Sequence, residues 1–146
     1  MKLAVVIALL ANATLAEARL HQDGYDTPTE THVELVVGLW HDDKLTPDHG
    51  WNHYTFVAPT SGYVAVQMRA PRDHATLWSY LRVIDGDHNW AAVANRVTNL
   101  SEVVVAVERG HHYDIIATSQ RNATLEPGER QITDGPYTIG VVPIAL

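Results

Sequence analysis

From residue 33 onward, apolar and polar positions alternate in short runs broken by clusters of Gly, Pro, Asp, Asn and Thr. The runs fall at about 33–40, 51–57, 62–69, 77–85, 90–94, 102–108, 111–118 and 136–142, and they are rich in Val, Ile, Tyr and Trp. A period of two in short β-branched and aromatic segments predicts strands. Beyond the first twenty residues no window sustains a 3.6-residue period, so helix is expected to be minor. Eight such strands predict an all-β sandwich or barrel, with residues 41–50 and 119–135 among the connecting loops. Alternation turns Tyr54 and Phe56 to one face, and likewise Val64, Val66 and Met68, Leu81 and Val83, and Val103, Val105 and Val107. Tyr113 with Ile115, and Tyr137 with Ile139 and Val141, complete the set that two facing sheets need for a core.

The first eighteen residues break this pattern. Lys2 precedes an apolar run from Leu3 to Ala11, and Ala16-Glu17-Ala18 offers a small-residue cleavage site. That run is about half the length of a membrane-spanning helix, and its arrangement predicts a secretory signal peptide over 1–18. If it is retained, it is an apolar segment available for assembly. Residues 19–32 form a polar N-terminal arm rich in turn formers, and 33–146 the sandwich domain.

Composition narrows the function classes. A chain of 146 residues with 46% hydrophobic content sustains one domain with its own core. It carries 17 acids against 10 bases, a net charge of −7, which argues against phosphate recognition in nucleic acids. The absence of cysteine excludes disulfides, thiolate metal sites and cysteine nucleophiles. For a chain read as exported, stability must come from the core or from assembly.

Candidate chemistry is sparse. Nine histidines invite a metal site, but His49 and His53 in extended chain lie roughly 13 Å apart, and neighbours His111 and His112 point to opposite faces of a strand. His41, Asp42 and Asp43 bracket one loop with Asp48 and His49, which leaves a transition-metal cluster open there against plain solvated residues. Asp85-Gly86-Asp87 reads as a hairpin turn; Trp90 and Arg96 stand where a calcium loop needs Gly and Glu. The four serines, Ser61, Ser79, Ser101 and Ser119, sit in no nucleophile-elbow motif. Sequons place candidate glycans on Asn99 and Asn122, and on Asn12 within the expected signal peptide. Of four tryptophans (Trp40, Trp51, Trp78, Trp90), Trp78 shares with Tyr80 the phase opposite Leu81 and Val83. Trp78, Tyr80 and Trp90 are therefore the candidate interface or ligand aromatics.

Four segments, HYTFVAPTSGYVAVQM (53–68), LWSYLRVIDGDHNWAAVA (77–94), SEVVVAVERGHHYDIIAT (101–118) and GPYTIGVV (135–142), together resemble the bacterial pre-peptidase C-terminal domain. The resemblance covers about residues 33–143 and rests on strand patterns with turn glycines. It implies a single jelly-roll-like β-sandwich of about eight antiparallel strands, of the kind usually appended to secreted enzymes. It also implies calcium as the one possible cofactor, held by acids near the start of the domain, which by position are Asp42, Asp43 and Asp48. Gly110-His111-His112-Tyr113 departs from the family pattern by one residue, which predicts a bulge or a wider turn.

Together these observations predict an exported, non-catalytic structural module that self-associates into an extracellular assembly or filament. The alternative is a monomeric carbohydrate- or cell-surface-binding module using outward aromatics and acidic loops. A cryptic hydrolase, or an accessory to a separately encoded enzyme, ranks third. Expected partners are further copies of the chain or a polysaccharide, with no nucleic acid and no membrane span.

Overall fold

The computed structural model describes residues 33–46, 50–71, 77–94, 99–123 and 134–145. Among them, nine strands form: β1 (Val33–Glu34), β2 (Trp40–Leu45), β3 (Trp51–Val57), β4 (Gly62–Arg69), β5 (Ser79–Asp85), β6 (His88–Val93), β7 (Leu100–Val107), β8 (His112–Ser119) and β9 (Gly135–Ile144). One short helix, α1 (Gln120–Ala123), follows β8. The strands make a five-stranded sheet in the order β1-β3-β8-β5-β6 and a four-stranded sheet in the order β2-β9-β4-β7. Only the β5–β6 connection stays within one sheet; every other pair of consecutive strands crosses between the two. The result is a β-sandwich, and its pairings are antiparallel except for β1 with β3.

The inward positions are those that alternation selects. Phe56, Val66, Met68, Leu81, Val83, Ile115, Ile139 and Val141 are fully buried, with Tyr54, Tyr113 and Tyr137 nearly so. Phe56 and Tyr113 stack with ring centroids 4.9 Å apart, an aromatic pair in the middle of the apolar layer. A buried polar link also joins the sheets: the hydroxyls of Ser79 on β5 and Ser101 on β7 lie 2.8 Å apart, and Ser101 donates to the Ser79 carbonyl. With both hydroxyls bonded, neither leaves an unmet polar group in the core.

Two local expectations need correction. Residues 33–40 do not form one strand: β1 stops at Glu34, and Gly38 (φ +92°) leads into a separate β2. That strand occupies much of the expected loop at 41–50. The Gly110 step takes the wider-turn form of the two expected there, an arch between sheets with Gly110 at φ +80°. It is bonded to the β3–β4 arch beside it: Gly110 N–H donates to the Ala58 carbonyl at 2.8 Å, and Ala58 N–H to the His111 carbonyl at 3.1 Å. The Asp85-Gly86-Asp87 hairpin forms as expected, with Asp85 opposite His88 and Gly86 at φ +52°.

Candidate functional site

The strand that sequence periodicity missed organises the most distinctive surface. Along β2, His41, Asp43 and Leu45 turn inward while Trp40, Asp42 and Lys44 face out. Leu45 is buried in the core, but Asp43 is a carboxylate pointing at the opposite sheet. Its Oδ2 accepts the Tyr54 hydroxyl at 2.5 Å, and its Oδ1 accepts the Lys44 N–H at 2.7 Å. The Tyr54 and Tyr137 hydroxyls are in close contact, and Asn52 Nδ2 donates to the Tyr137 oxygen at 2.6 Å and to the Lys44 carbonyl at 3.0 Å. Because Tyr54 spends its one proton on Asp43, the chain runs in one direction: Asn52 to Tyr137 to Tyr54 to Asp43. Burial raises the pKa of both tyrosines well above the ordinary phenol range; for Tyr54, the neighbouring Tyr137 and the bond to Asp43 add to it. The network ties edge strand β2 to β3 across the sandwich and fixes which residues of β2 face outward.

The outer face of the four-stranded sheet carries what β2 presents. Strand register places Trp40, Gly140, Gln67 and Glu102 in one row across β2, β9, β4 and β7. The next row holds Asp42, Thr138 and Arg69. Three strand spacings separate the ends of the first row, a span of about 14 Å. Trp40 lies directly on the backbone of Gly140, where an added Cβ would come 2.9 Å from its Cε3 and 3.1 Å from its Cδ2. Arg69 sets its guanidinium over the indole, 4.8 Å from the ring centroid. The same guanidinium donates through Nη2 to Gln67 Oε1 at 3.0 Å, and Gln67 Nε2 in turn donates to Glu102 Oε2. Trp40 nevertheless remains 47% exposed. Where β4 ends and β9 begins, a groove of about 440 Å³ is lined by Asp42, Arg69, Pro71 and Thr138 and by the inward-facing Asp43 and Tyr137.

The residues singled out from sequence fall elsewhere or apart. Asp42 and Asp43 lie on opposite faces of β2, and Asp48, like His49, is outside the described residues. Among the described residues, no group of three or more His, Asp or Glu side chains is placed to hold one metal ion. Trp78, Tyr80 and Trp90 do not share a face. Trp90 stands opposite the fully buried Val83 and packs against the core, with its ring stacked on His88 at 5.7 Å. Tyr80 points outward opposite Val93 and Thr118, and Trp78, half-buried just before β5, accepts the Gln120 N–H through its carbonyl at 2.6 Å. Asn99 and Asn122 are both buried. Their side-chain amides donate to the Ala70 carbonyl at 3.4 Å and the Gly50 carbonyl at 3.3 Å, so neither nitrogen is presented as a glycan requires. Residues 1–32, with the expected signal peptide, polar arm and Asn12, lie outside the described residues. Among the described residues no helix is long and apolar enough to cross a membrane.

Sequence reasoning passed over Gln67, Arg69, Glu102 and Gly140, and it named Trp40 only as one tryptophan among four. The available signal was the alternation of Trp40, Asp42 and Lys44 against His41, Asp43 and Leu45. It was hidden because two of the three inward positions are polar.

Among solved structures, the chain resembles the pre-peptidase C-terminal domain of a collagenase from Bacillus anthracis, with 15% identity and a TM-score of 0.58. That match covers 80% of this chain and 99% of the other. The expected β-sandwich, like that of the pre-peptidase C-terminal domain, is therefore the fold. PliG of Aeromonas hydrophila, a periplasmic inhibitor of g-type lysozyme, aligns at 11% identity and a TM-score of 0.49, covering 76% of this chain and 96% of its own. No family model and no curated protein matches the sequence.

Proposed function

We propose that this chain is an exported, non-catalytic carbohydrate-binding module that holds its ligand on the outer face of the four-stranded sheet. The observation that carries this reading is Trp40: a large aromatic seated on a glycine backbone, flanked by a guanidinium, yet nearly half open to solvent. Exposed aromatic surface that is already ordered loses little entropy on binding and suits the apolar face of a sugar ring. The hydrogen-bonding groups of Asp42, Thr138, Arg69 and Gln67 around it suit hydroxyls. Export is supported by the Lys2, apolar-run and Ala-Glu-Ala arrangement at the N-terminus. The serines support a non-catalytic role. Ser79 and Ser101 are buried against each other, Ser61 accepts the Arg109 N–H, and Ser119 accepts the Asn122 N–H.

Electrophoresis through native gels cast with soluble polysaccharide tests the reading. Retarded wild-type protein and unretarded Trp40→Ala are expected; equal mobility of the two in every gel contradicts it. Self-association is a second reading, favoured by the exposed Tyr63 and Val104 on the same face. It expects a concentration-dependent sedimentation coefficient that Val104→Glu abolishes.

A further inference from the structure

The row Trp40–Gly140–Gln67–Glu102 and its neighbour Asp42–Thr138–Arg69 combine one aromatic ring with a chain of polar side chains. We infer that the ligand is an uncharged polysaccharide laid across the strands, with one sugar on Trp40 and the following hydroxyls on the Arg69–Gln67–Glu102 chain. This rests on the carbohydrate-binding reading and specifies its direction and charge class.

The direction follows from how the polar groups are joined. Arg69 touches the indole at one end and donates to Gln67, which donates to Glu102 on the neighbouring strand. The Arg69–Gln67 bond runs along β4, the Gln67–Glu102 bond crosses to β7, and the Arg69 guanidinium reaches back over Trp40. The ends of this bonded chain, Trp40 and Glu102, are the ends of the row that strand register lays across β2, β9, β4 and β7. The row from Trp40 to Glu102 spans about 14 Å, which suits a short run of sugars and exceeds a single ring. Planar amide, carboxylate and guanidinium groups whose positions are already set by one another act as a preorganised comb for hydroxyls, with little ordering left to do on binding. The apolar half of the face, around Tyr63 and Val104, offers no such groups along its row: Ile144 and Ala106 flank Tyr63, and Ala65 lies between Val142 and Val104.

The charge class follows from the signs along the row. Glu102 stands at one end and Asp42 beside the other, and the whole chain carries −7. Arg69 is the one basic side chain in the two rows, and it is already engaged by the indole and Gln67. A uronate or sulfate polymer therefore meets two carboxylates, that of Glu102 held by Gln67, and a repulsive net field. Neutral hydroxyls meet donors and acceptors in alternation.

Calorimetric titration separates the possibilities, using laminarin, galactomannan and xyloglucan as uncharged probes and polygalacturonate as the acidic one. The expected result is binding of at least one neutral polymer, unchanged between 50 and 500 mM salt (about a tenfold range in ionic strength). Trp40→Ala is expected to weaken it about tenfold or more, and Gln67→Ala and Glu102→Gln about three- to tenfold each. Val104→Ser, on the apolar half, is expected to leave affinity unchanged, and thermal melting of each variant controls for folding. Preference for polygalacturonate, or binding screened by salt, overturns the charge class. Loss of binding in Trp40→Ala with Gln67→Ala and Glu102→Gln unaffected overturns the direction while sparing the carbohydrate reading. Failure of the wild type to bind any of the four polymers overturns both.

Discussion

Asp43 is a carboxylate aimed at the opposite sheet, and it is tolerable there because Tyr54 and Tyr137 supply hydroxyls in series. Removing the middle link leaves both neighbours short of a partner, so Tyr54→Phe is expected to destabilise the fold by about 1–3 kcal/mol in chemical denaturation. Phe56→Ala, which empties the centre of the apolar layer and breaks the stack with Tyr113, is expected to cost about 3–5 kcal/mol. Gly140→Ala separates platform geometry from stability. Its new methyl group meets the Trp40 ring at 2.9 Å and the Leu39 carbonyl oxygen at 3.2 Å; the ring can swing away into solvent, and the carbonyl has to yield only a few tenths of an ångström. The melting temperature is then expected to stay close to that of the wild type, while polysaccharide affinity falls with the tilted indole. Unchanged affinity in Gly140→Ala contradicts the idea that the glycine seats the ring.

At the scale of elements, the strands whose inward positions are hydrophobic were legible. β3 and β4 have the bounds that alternation predicts, and the inward sides of β5, β7, β8 and β9 are those expected from Leu81 to Val141. What failed was β2, and the reason is physical. Period-two hydrophobicity reports burial against apolar neighbours, whereas two of the three inward positions of β2 are His41 and Asp43, half-buried against tyrosine hydroxyls and a ring edge 5.9 Å away. The candidate site was lost with that strand, since Trp40 and Asp42 are placed only once β2 pairs with β9. Trp90 misled for a related reason: on an edge strand a large ring is inward and still partly exposed. The hairpin at Gly86 was readable because a positive φ at a two-residue turn has a residue-level signature. If β2 is held mainly by the tyrosine network, Asp43→Ala is expected to speed hydrogen exchange at the β2 amides bonded to β9 before it affects β4 or β8. Uniform acceleration across both sheets contradicts that.

For the whole molecule, the buried tyrosines set an alkaline limit. Their pKa values are raised in the folded state, so unfolding lets them ionise nearer 10. The stability they protect is complete below that pH. It is lost above it at about 1.4 kcal/mol per pH unit for each tyrosine, because only the unfolded chain releases the protons. Phenolate absorbance is expected to show Tyr54 and Tyr137 titrating only with unfolding; early ionisation of all six tyrosines in a folded protein contradicts their burial. Around this core, the account makes the outer face of the four-stranded sheet the working surface and Trp40 its centre. The most direct test is to follow the indole N–H resonances of the four tryptophans during titration with a neutral oligosaccharide, with Trp40→Phe assigning one of them. The account predicts that the Trp40 signal shifts and saturates while those of Trp51, Trp78 and Trp90 stay in place. A shift confined to Trp78 or Trp90, or no shift of Trp40 on binding, contradicts it.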